Sequence, residues 1–446
     1  MVTRERPPAL TARDVALDAM VRVDDGAFSH VLLPSILRRS TLSASDRGQV
    51  TALVYGALRG RGRCDFLLEQ VLDRPLDALE VPVRAGLRLG VQQLITGVPA
   101  HAAVGETVEA IGKVRPKAKG FANGVLRSVA RLGPEWPWPQ GDDDAALAVR
   151  TSHPEWIVRR LRSDLGDDAA TAILESDDAT PALTLRVNRS RATVAEVRAE
   201  LETAGVHVEV GHLSSGALGV RGTGDPRSLP VVRDGRATPQ DEGSQAIVEA
   251  VDARAGERIL DVAAAPGGKT TGIAEAMGGT GIVIAGDRYA GRTRLVRDAA
   301  IRLGLDDVVT YVADGRALPF APRSFDRVLL DAPCSGLGVL RRRAETRWRL
   351  SPEDPDLLAA LQRELIVEAA AMVRPGGTLL YSVCTLTTPE TLGVDEHAAV
   401  VLPEFVPLGI PDLPWIPHGR GALLRPDALG TDGMFLLRLR APGAAV

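Results

Sequence analysis

Apolar positions recur at intervals of three and four through the first third of the chain, and the rhythm then changes twice. "ARDVALDAMVRV" (12–23) follows Thr11, a residue type suited to an N-cap. "SDRGQVTALVYGALR" (45–59), "VPVRAGLRLGVQQLI" (81–95) and "FANGVLRSVARL" (121–132) keep the same period, so residues 11–132 are predicted to be helical. "GPEWPWPQGDDD" (133–144) has no period and is rich in Pro, Gly and Asp, which predicts a linker and a domain boundary. Beyond it, "ALTLRVN" and "VHVEVG" read as strands flanking a helix, "TVAEVRAELETAG", that ends at Gly205. From about residue 240, short apolar runs alternate with helical stretches. "RILDV", "GIVIAGD", "VVTYVAD", "FDRVLLD" and "GTLLYSV" are the runs, and "GMFLLRLR" adds a late strand. Buried parallel strands alternating with helices predict a doubly wound sheet.

Three domains follow: all-α over 1–140, a small α/β module over 150–235, and a Rossmann-like α/β domain over 236–446 with a mostly parallel sheet. The length of 446 residues suits this division. Hydrophobic residues at 45% and charged residues at 25% exclude wholesale disorder. Three cysteines are too few for a disulfide framework. "MVTRERPPAL" is polar and carries no secretory pattern, and no run of 18 uncharged apolar residues occurs. A cytoplasmic protein with no membrane partner is the expectation.

The net charge of −4 hides an asymmetry. Residues 1–133 hold 19 Lys+Arg against 13 Asp+Glu, and the remainder holds 34 against 44. A basic N-terminal third suggests nucleic-acid contact, although a merely solvated basic face would look the same. "VLRRRAETRWRL" (339–350) adds five arginines and a tryptophan, suited to phosphate contact or, alternatively, to a helix with Trp348 packed inward.

Ligands of open α/β sheets bind beyond the carboxyl ends of the strands, so those ends carry the candidate chemistry. After "RILDV" comes Ala263-Ala264-Ala265-Pro266-Gly267-Gly268-Lys269. Small residues admit close backbone approach, and a following helix aims N–H groups at a ligand. Lys269 is one of four lysines against forty-nine arginines. A phosphate-binding P-loop would need Gly where Ala263 stands. The next runs end in Asp287 and Asp314, candidates for ribose and adenine contacts. "FDRVLLD" then delivers Asp331-Ala332-Pro333-Cys334, and "GTLLYSV" delivers Cys384. Two of three cysteines thus fall at one rim, whereas Cys64 reads as a small buried hydrophobe. No metal is expected: only His397 lies near enough in sequence to join them. A thiolate adding to carbon 6 of a pyrimidine makes carbon 5 nucleophilic enough to accept a methyl group, which divides one hard step into easier ones.

"LDVAAAPGGKT", "LLDAPCSGLGVLRR" and "YSVCTLTTPE" resemble motifs I, IV and VI of the Sun/Fmu RNA 5-methylcytosine methyltransferases. "QDEGSQAIV" resembles that family's lead-in to the catalytic domain, and "KGFANGVLRSV" resembles a NusB-like RNA-binding domain. With "SHPEWIV" (152–158), the resemblance extends to the bacterial small-subunit ribosomal RNA cytosine-5 methyltransferase B group. It implies S-adenosylmethionine as methyl donor and 16S ribosomal RNA as partner, with the small module also touching RNA; the sequence leaves the oligomeric state open, with a monomer the expectation. It places the cofactor loop on Ala263 to Lys269, the ribose acid on Asp287 and the adenine-side acid on Asp314. It places the Asp-Ala-Pro-Cys acid on Asp331, also beside the cofactor. The nucleophile falls on Cys384 and the cysteine assisting release on Cys334. Two positions depart from the family: Ala263 replaces a usual Cys, and Thr391 follows Glu390 where Asn is usual. Transfer RNA as substrate and a non-catalytic RNA-binding scaffold are the alternatives; the intact cysteine pair and Lys269 argue against the scaffold.

Overall fold

The computed structural model describes residues 10–412 and 414–443. The reading of "MVTRERPPAL" as lacking a leader rests almost wholly on residues outside that range. Among the described residues no helix is long and apolar enough to cross a membrane.

The described chain falls into two compact units. The first ends at Ala179 and takes back Leu340–Arg349; the second runs Thr180–Val339 and resumes at Leu350.

The first unit is helical. Its opening helix, Ala12–Asp24, is closed by a capping box in which Thr11 Oγ1 accepts from the Asp14 N–H and Asp14 accepts from the Thr11 N–H. The period read in the sequence matches Ala44–Arg59, Val81–Ile95 and Lys119–Ala130, whose apolar faces meet in one core with Leu17, Leu58, Leu87 and Leu126 fully buried. Cys64 lies inside that core, and burial pushes its thiol well up from its ordinary value. The aperiodic stretch after residue 132 forms no helix, but Trp136 and Trp138 pack onto the same core. The helices Asp144–Thr151, Glu155–Leu165 and Asp167–Ser176 also belong to this unit. The compact helical unit therefore extends beyond the linker at which the sequence suggested a boundary.

The second unit opens with an antiparallel sheet of β1 (Leu183–Val187), β2 (His207–Val210), β3 (Ala217–Arg221) and β4 (Ala237–Pro239), in the order β2-β3-β1-β4. The expected helix is present at Val194–Thr203. A nine-stranded sheet follows: β5 (Arg258–Asp261), β6 (Ile282–Asp287), β7 (Val308–Val312), β8 (Phe325–Asp331), β9 (Val373–Val383), β10 (Val406–Pro407), β11 (Ile416–His418), β12 (Gly421–Leu424) and β13 (Met434–Arg440). Its order is β11-β12-β13-β9-β8-β5-β6-β7, with β10 on β13. Pairing is parallel from β7 through β9 and antiparallel from β9 to β11, so the sheet is doubly wound with an antiparallel edge. The chain winds outward from β5 through β6 to β7, then restarts at β8 on the other side. The crevice beyond β5 and β8 is the switch point where such sheets bind ligands.

Candidate active site

The loop after β5 enters a helix at Gly268–Met277, with Gly267 as its N-cap at φ +104°. A side chain there would be strained, and its Cβ would lie 3.0 Å from the Val296 backbone. Ala264 donates its N–H to Gly286 O at 2.7 Å, which lays the loop against β6. Arg186 of β1 grips the helix it enters: it pairs with Glu275 at 2.9 Å and donates to Thr271 Oγ1 and to Gly268 O. That arginine comes from the small antiparallel module, and the charge-poor motif after β5 gave no hint of it.

Asp287, at the end of β6, is buried; Oδ1 accepts from the Tyr289 N–H and Oδ2 from Arg292. Asp314 stands two residues beyond β7, within 3.7 Å of Arg288. It is part-exposed and takes three hydrogen bonds from Arg316, whose side chain and backbone N–H hold its carboxyl well below the usual range. Adjacent strand ends thus bring the two acids together. Beneath the loop, Asp261 accepts from Thr270 at 2.6 Å through Oδ2, while Oδ1 is buried without a hydrogen-bond partner. Burial pushes its carboxyl up to about 7. The glycine that only a bare backbone can occupy and the two acids fit a nucleoside-bearing ligand.

Lys269 turns toward the neighbouring strand. Its Nζ lies 2.7 Å from Asp331 Oδ2, and Ser382 donates to Oδ1 of the same carboxylate at 2.8 Å. Burial opposes the charge on Lys269, but the Asp331 carboxylate outweighs it and the ammonium's pKa ends above its ordinary value. Past Asp331 the chain turns, and Cys334 Sγ faces Cys384 Sγ at 3.3 Å. The two thiols follow parallel neighbours, β8 and β9, so one rim presents both. The bond to Cys384 and then burial raise the Cys334 thiol well above its ordinary value. The site residues read from the sequence therefore gather at one end of the sheet. Among the described residues no group of three or more His, Cys, Asp or Glu could hold a metal.

Sequence reasoning missed the shell behind the cysteines. Glu390 is buried and accepts from Ser335, Thr385, Thr387 and Gln362. The signal was present: an acid within a run of threonines directly after Cys384. Thr391, the departure from the family, donates to Thr387 O at 2.8 Å and meets His418 Nε2 at 3.1 Å.

The arginine-rich stretch 339–350 departs in part from its reading as a phosphate-binding surface. Ala344–Trp348 is a 3₁₀ turn within the helical unit. Arg347 is fully buried and donates to Ser152 O and Leu340 O; Arg341 is also buried. Arg349 donates to the carbonyls of Val23, Gly26 and Ala27 and stacks over Phe28. Glu345 accepts from the N–H and hydroxyl of Ser29. Arg61 lies over the Trp348 ring at 5.1 Å. Glu345, Arg347 and Arg349 complete a folded unit, because backbone carbonyls and Ser29 supply partners that the sequence could not reveal, while Arg343 stays exposed.

Comparison with known proteins agrees with this architecture. Residues 10–131 match the NusB family, residues 153–225 the ferredoxin-like domain of RsmF/B-like methyltransferases, and residues 248–440 the family described as 16S rRNA methyltransferase RsmB/F. A probable ribosomal RNA small subunit methyltransferase B of Bacillus subtilis is 35% identical over 97% of this chain and 99% of its own. The ribosomal RNA small subunit methyltransferase B of Pseudomonas putida is 34% identical over 88% of this chain and 90% of its own. The crystal structure of PH0851 superposes with a TM-score of 0.85 at 25% identity, covering 97% of this chain and 100% of that one. A NusB-like helical domain, a ferredoxin-like module and an S-adenosylmethionine-dependent methyltransferase fold in one chain, with relatives matched almost end to end, place this protein in the RsmB/F family of 16S ribosomal RNA methyltransferases.

Proposed function

We propose that the protein methylates carbon 5 of a cytosine in small-subunit (16S) ribosomal RNA through a covalent cysteine adduct. The observation that carries this reading is the pair of thiols 3.3 Å apart at the strand ends beside the cofactor loop. S-adenosylmethionine supplies an electrophilic methyl group, and Ala263 to Lys269, Asp287 and Asp314 are the residues that would hold it. Cys384, as thiolate, adds to carbon 6 of the base. The ring electrons then gather at carbon 5, which would take the methyl group as the sulfonium–methyl bond breaks and S-adenosylhomocysteine leaves. Loss of the carbon 5 proton to a base lets the Cys384 sulfur leave with its electron pair, and the ring is restored. Cys334, opposite Cys384, assists that release. Asp331, held by Lys269 and Ser382, retains lone pairs that suit the exocyclic amino group of cytosine, a donor that thymine and uracil lack. The helical domain and the small module are assigned to holding the RNA, consistent with the basic N-terminal third.

Bisulfite sequencing of total RNA with and without the gene tests this reading. One 16S cytosine should lose protection in the deletion strain. Loss of protection in transfer RNA alone, or no change, would overturn the substrate assignment.

A further inference from the structure

The reaction as laid out makes no use of Glu390, yet this acid is built into the site. Its Oε1 accepts from the Ser335 N–H at 2.8 Å and from Gln362 Nε2 at 3.1 Å. Its Oε2 accepts from the hydroxyls of Ser335 at 2.5 Å, Thr387 at 2.9 Å and Thr385 at 3.1 Å. Ser335 is the residue after Cys334, and Thr385 is the residue after Cys384. One carboxylate therefore grips the chain immediately beyond each cysteine. Gln362 extends the grip by donating to Pro333 O, on the other side of Cys334, at 2.8 Å. Tyr381 OH lies within hydrogen-bond distance of both Gln362 Oε1 and Glu390 O.

The sheet does not fix this separation by itself. The β8–β9 register ends at Asp331 opposite Ser382, before either cysteine. Beyond it the two segments share the backbone bonds Ala332 N–H to Ser382 O and Gly338 N–H to Cys384 O. Burial raises the Glu390 carboxyl above its ordinary value even with these donors, so the acid is held in place against a desolvation cost.

We propose that Glu390 is a positioning residue that cross-ties the two cysteine-bearing turns and sets the separation of their sulfurs. This rests on the reading of Cys334 and Cys384 as the reacting pair. Glutamine could keep the tie: its carbonyl replaces Oε1, and its amide N–H groups donate to hydroxyl oxygens that rotate to accept. Aspartate, one methylene shorter, cannot reach both turns, and alanine reaches neither.

The test reads the separation chemically in the full-length protein. In a glutathione redox buffer the two thiols are oxidised to one disulfide while one glutathione disulfide is reduced to two thiols. Peptide mapping gives the equilibrium yield of the Cys334–Cys384 bridge, hence the effective concentration of one thiol at the other. Glu390→Gln should stay within about threefold of the wild type, while Glu390→Asp and Glu390→Ala should fall at least about tenfold, or roughly 30 mV. In Glu390→Asp, kcat for methylation should fall with KM for S-adenosylmethionine unchanged. Wild-type bridging in Glu390→Asp at an unaltered melting temperature would overturn the proposal, as would a loss in Glu390→Gln equal to that in Glu390→Asp. If the bridge behaves as expected but Cys334→Ala forms no adduct with RNA, the functional reading fails and the positioning role stands.

Discussion

Lys269 Nζ stands 2.7 Å from Asp331 Oδ2, so the ammonium of the cofactor loop is committed to the end of the strand that leads into Cys334. Lys269→Ala and Asp331→Asn should then be strongly non-additive, with a coupling of about 1–3 kcal/mol in S-adenosylmethionine binding, measured by calorimetry of both single variants and the double. Asp287→Ala, which removes a buried acceptor at the end of β6, should weaken the same binding roughly 10- to 150-fold. Independent effects of Lys269 and Asp331 would contradict the geometry, and full affinity in Asp287→Ala would remove the ribose assignment.

The facing thiols predict different fates for their variants. Cys384→Ala should neither methylate RNA nor form a covalent adduct. Cys334→Ala should add to the base and accept the methyl group, then stall, leaving a denaturant-resistant protein–RNA band on a gel. A band from Cys384→Ala with none from Cys334→Ala would reverse the roles.

Arg347 is buried against Ser152 O and Leu340 O, and its guanidinium lies near the His153 ring and the Asp177 carboxylate. Arg347→Ala should destabilise the helical unit by about 1–3 kcal/mol, the cost of leaving the buried Ser152 and Leu340 carbonyls without their donor, as read by urea unfolding. The salt slope of RNA binding by the remaining folded protein should not change, because this side chain meets no phosphate. A slope reduced by about one at unaltered stability would restore the surface reading.

His153 gives that unit a pH dependence of known sign. Burial, aided by Arg347, lowers the imidazole pKa to about 4, against 6.5 for the unperturbed ring. Between those values the unfolded chain binds the proton and the folded chain does not. The stability from this group is therefore complete above about pH 6.5 and is lost as pH falls through 4, by on the order of 3 kcal/mol. His153→Gln should flatten the dependence of helical-unit stability on pH between 7 and 4. An unchanged slope would show that another group titrates there.

The parallel strands were legible because each is a short apolar run ended by an acid or a cysteine, and in β5, β6 and β8 burial on both faces leaves little alternation to confuse with a helix, whereas β7 at the edge keeps Val309 and Val312 exposed. β3 and β4 were missed: Gly219 interrupts the first, and Pro239 ends the second after three residues. β11 and β12 were missed for a related reason, since a four-residue hairpin arm lies below the length at which period can be counted. The cysteines, Lys269 and the strand-end acids stood out by position. Arg186 and Arg347 did not, because a charged residue reads as exposed until the fold supplies the carboxylates and carbonyls that bury it.

The excursion of Leu340–Arg349 into the helical unit also bears on synthesis. That unit's own helices are finished at Ala179, but Glu345, Arg347 and Arg349 are made roughly 160 residues later. At about 5–20 residues per second, roughly 10–30 s separate the two events on the ribosome. During that interval Ser29, Ser152 and the carbonyls at the end of the first helix lack their final partners. The first part of the chain to emerge is thus completed only after the turn bearing Cys334 has been translated.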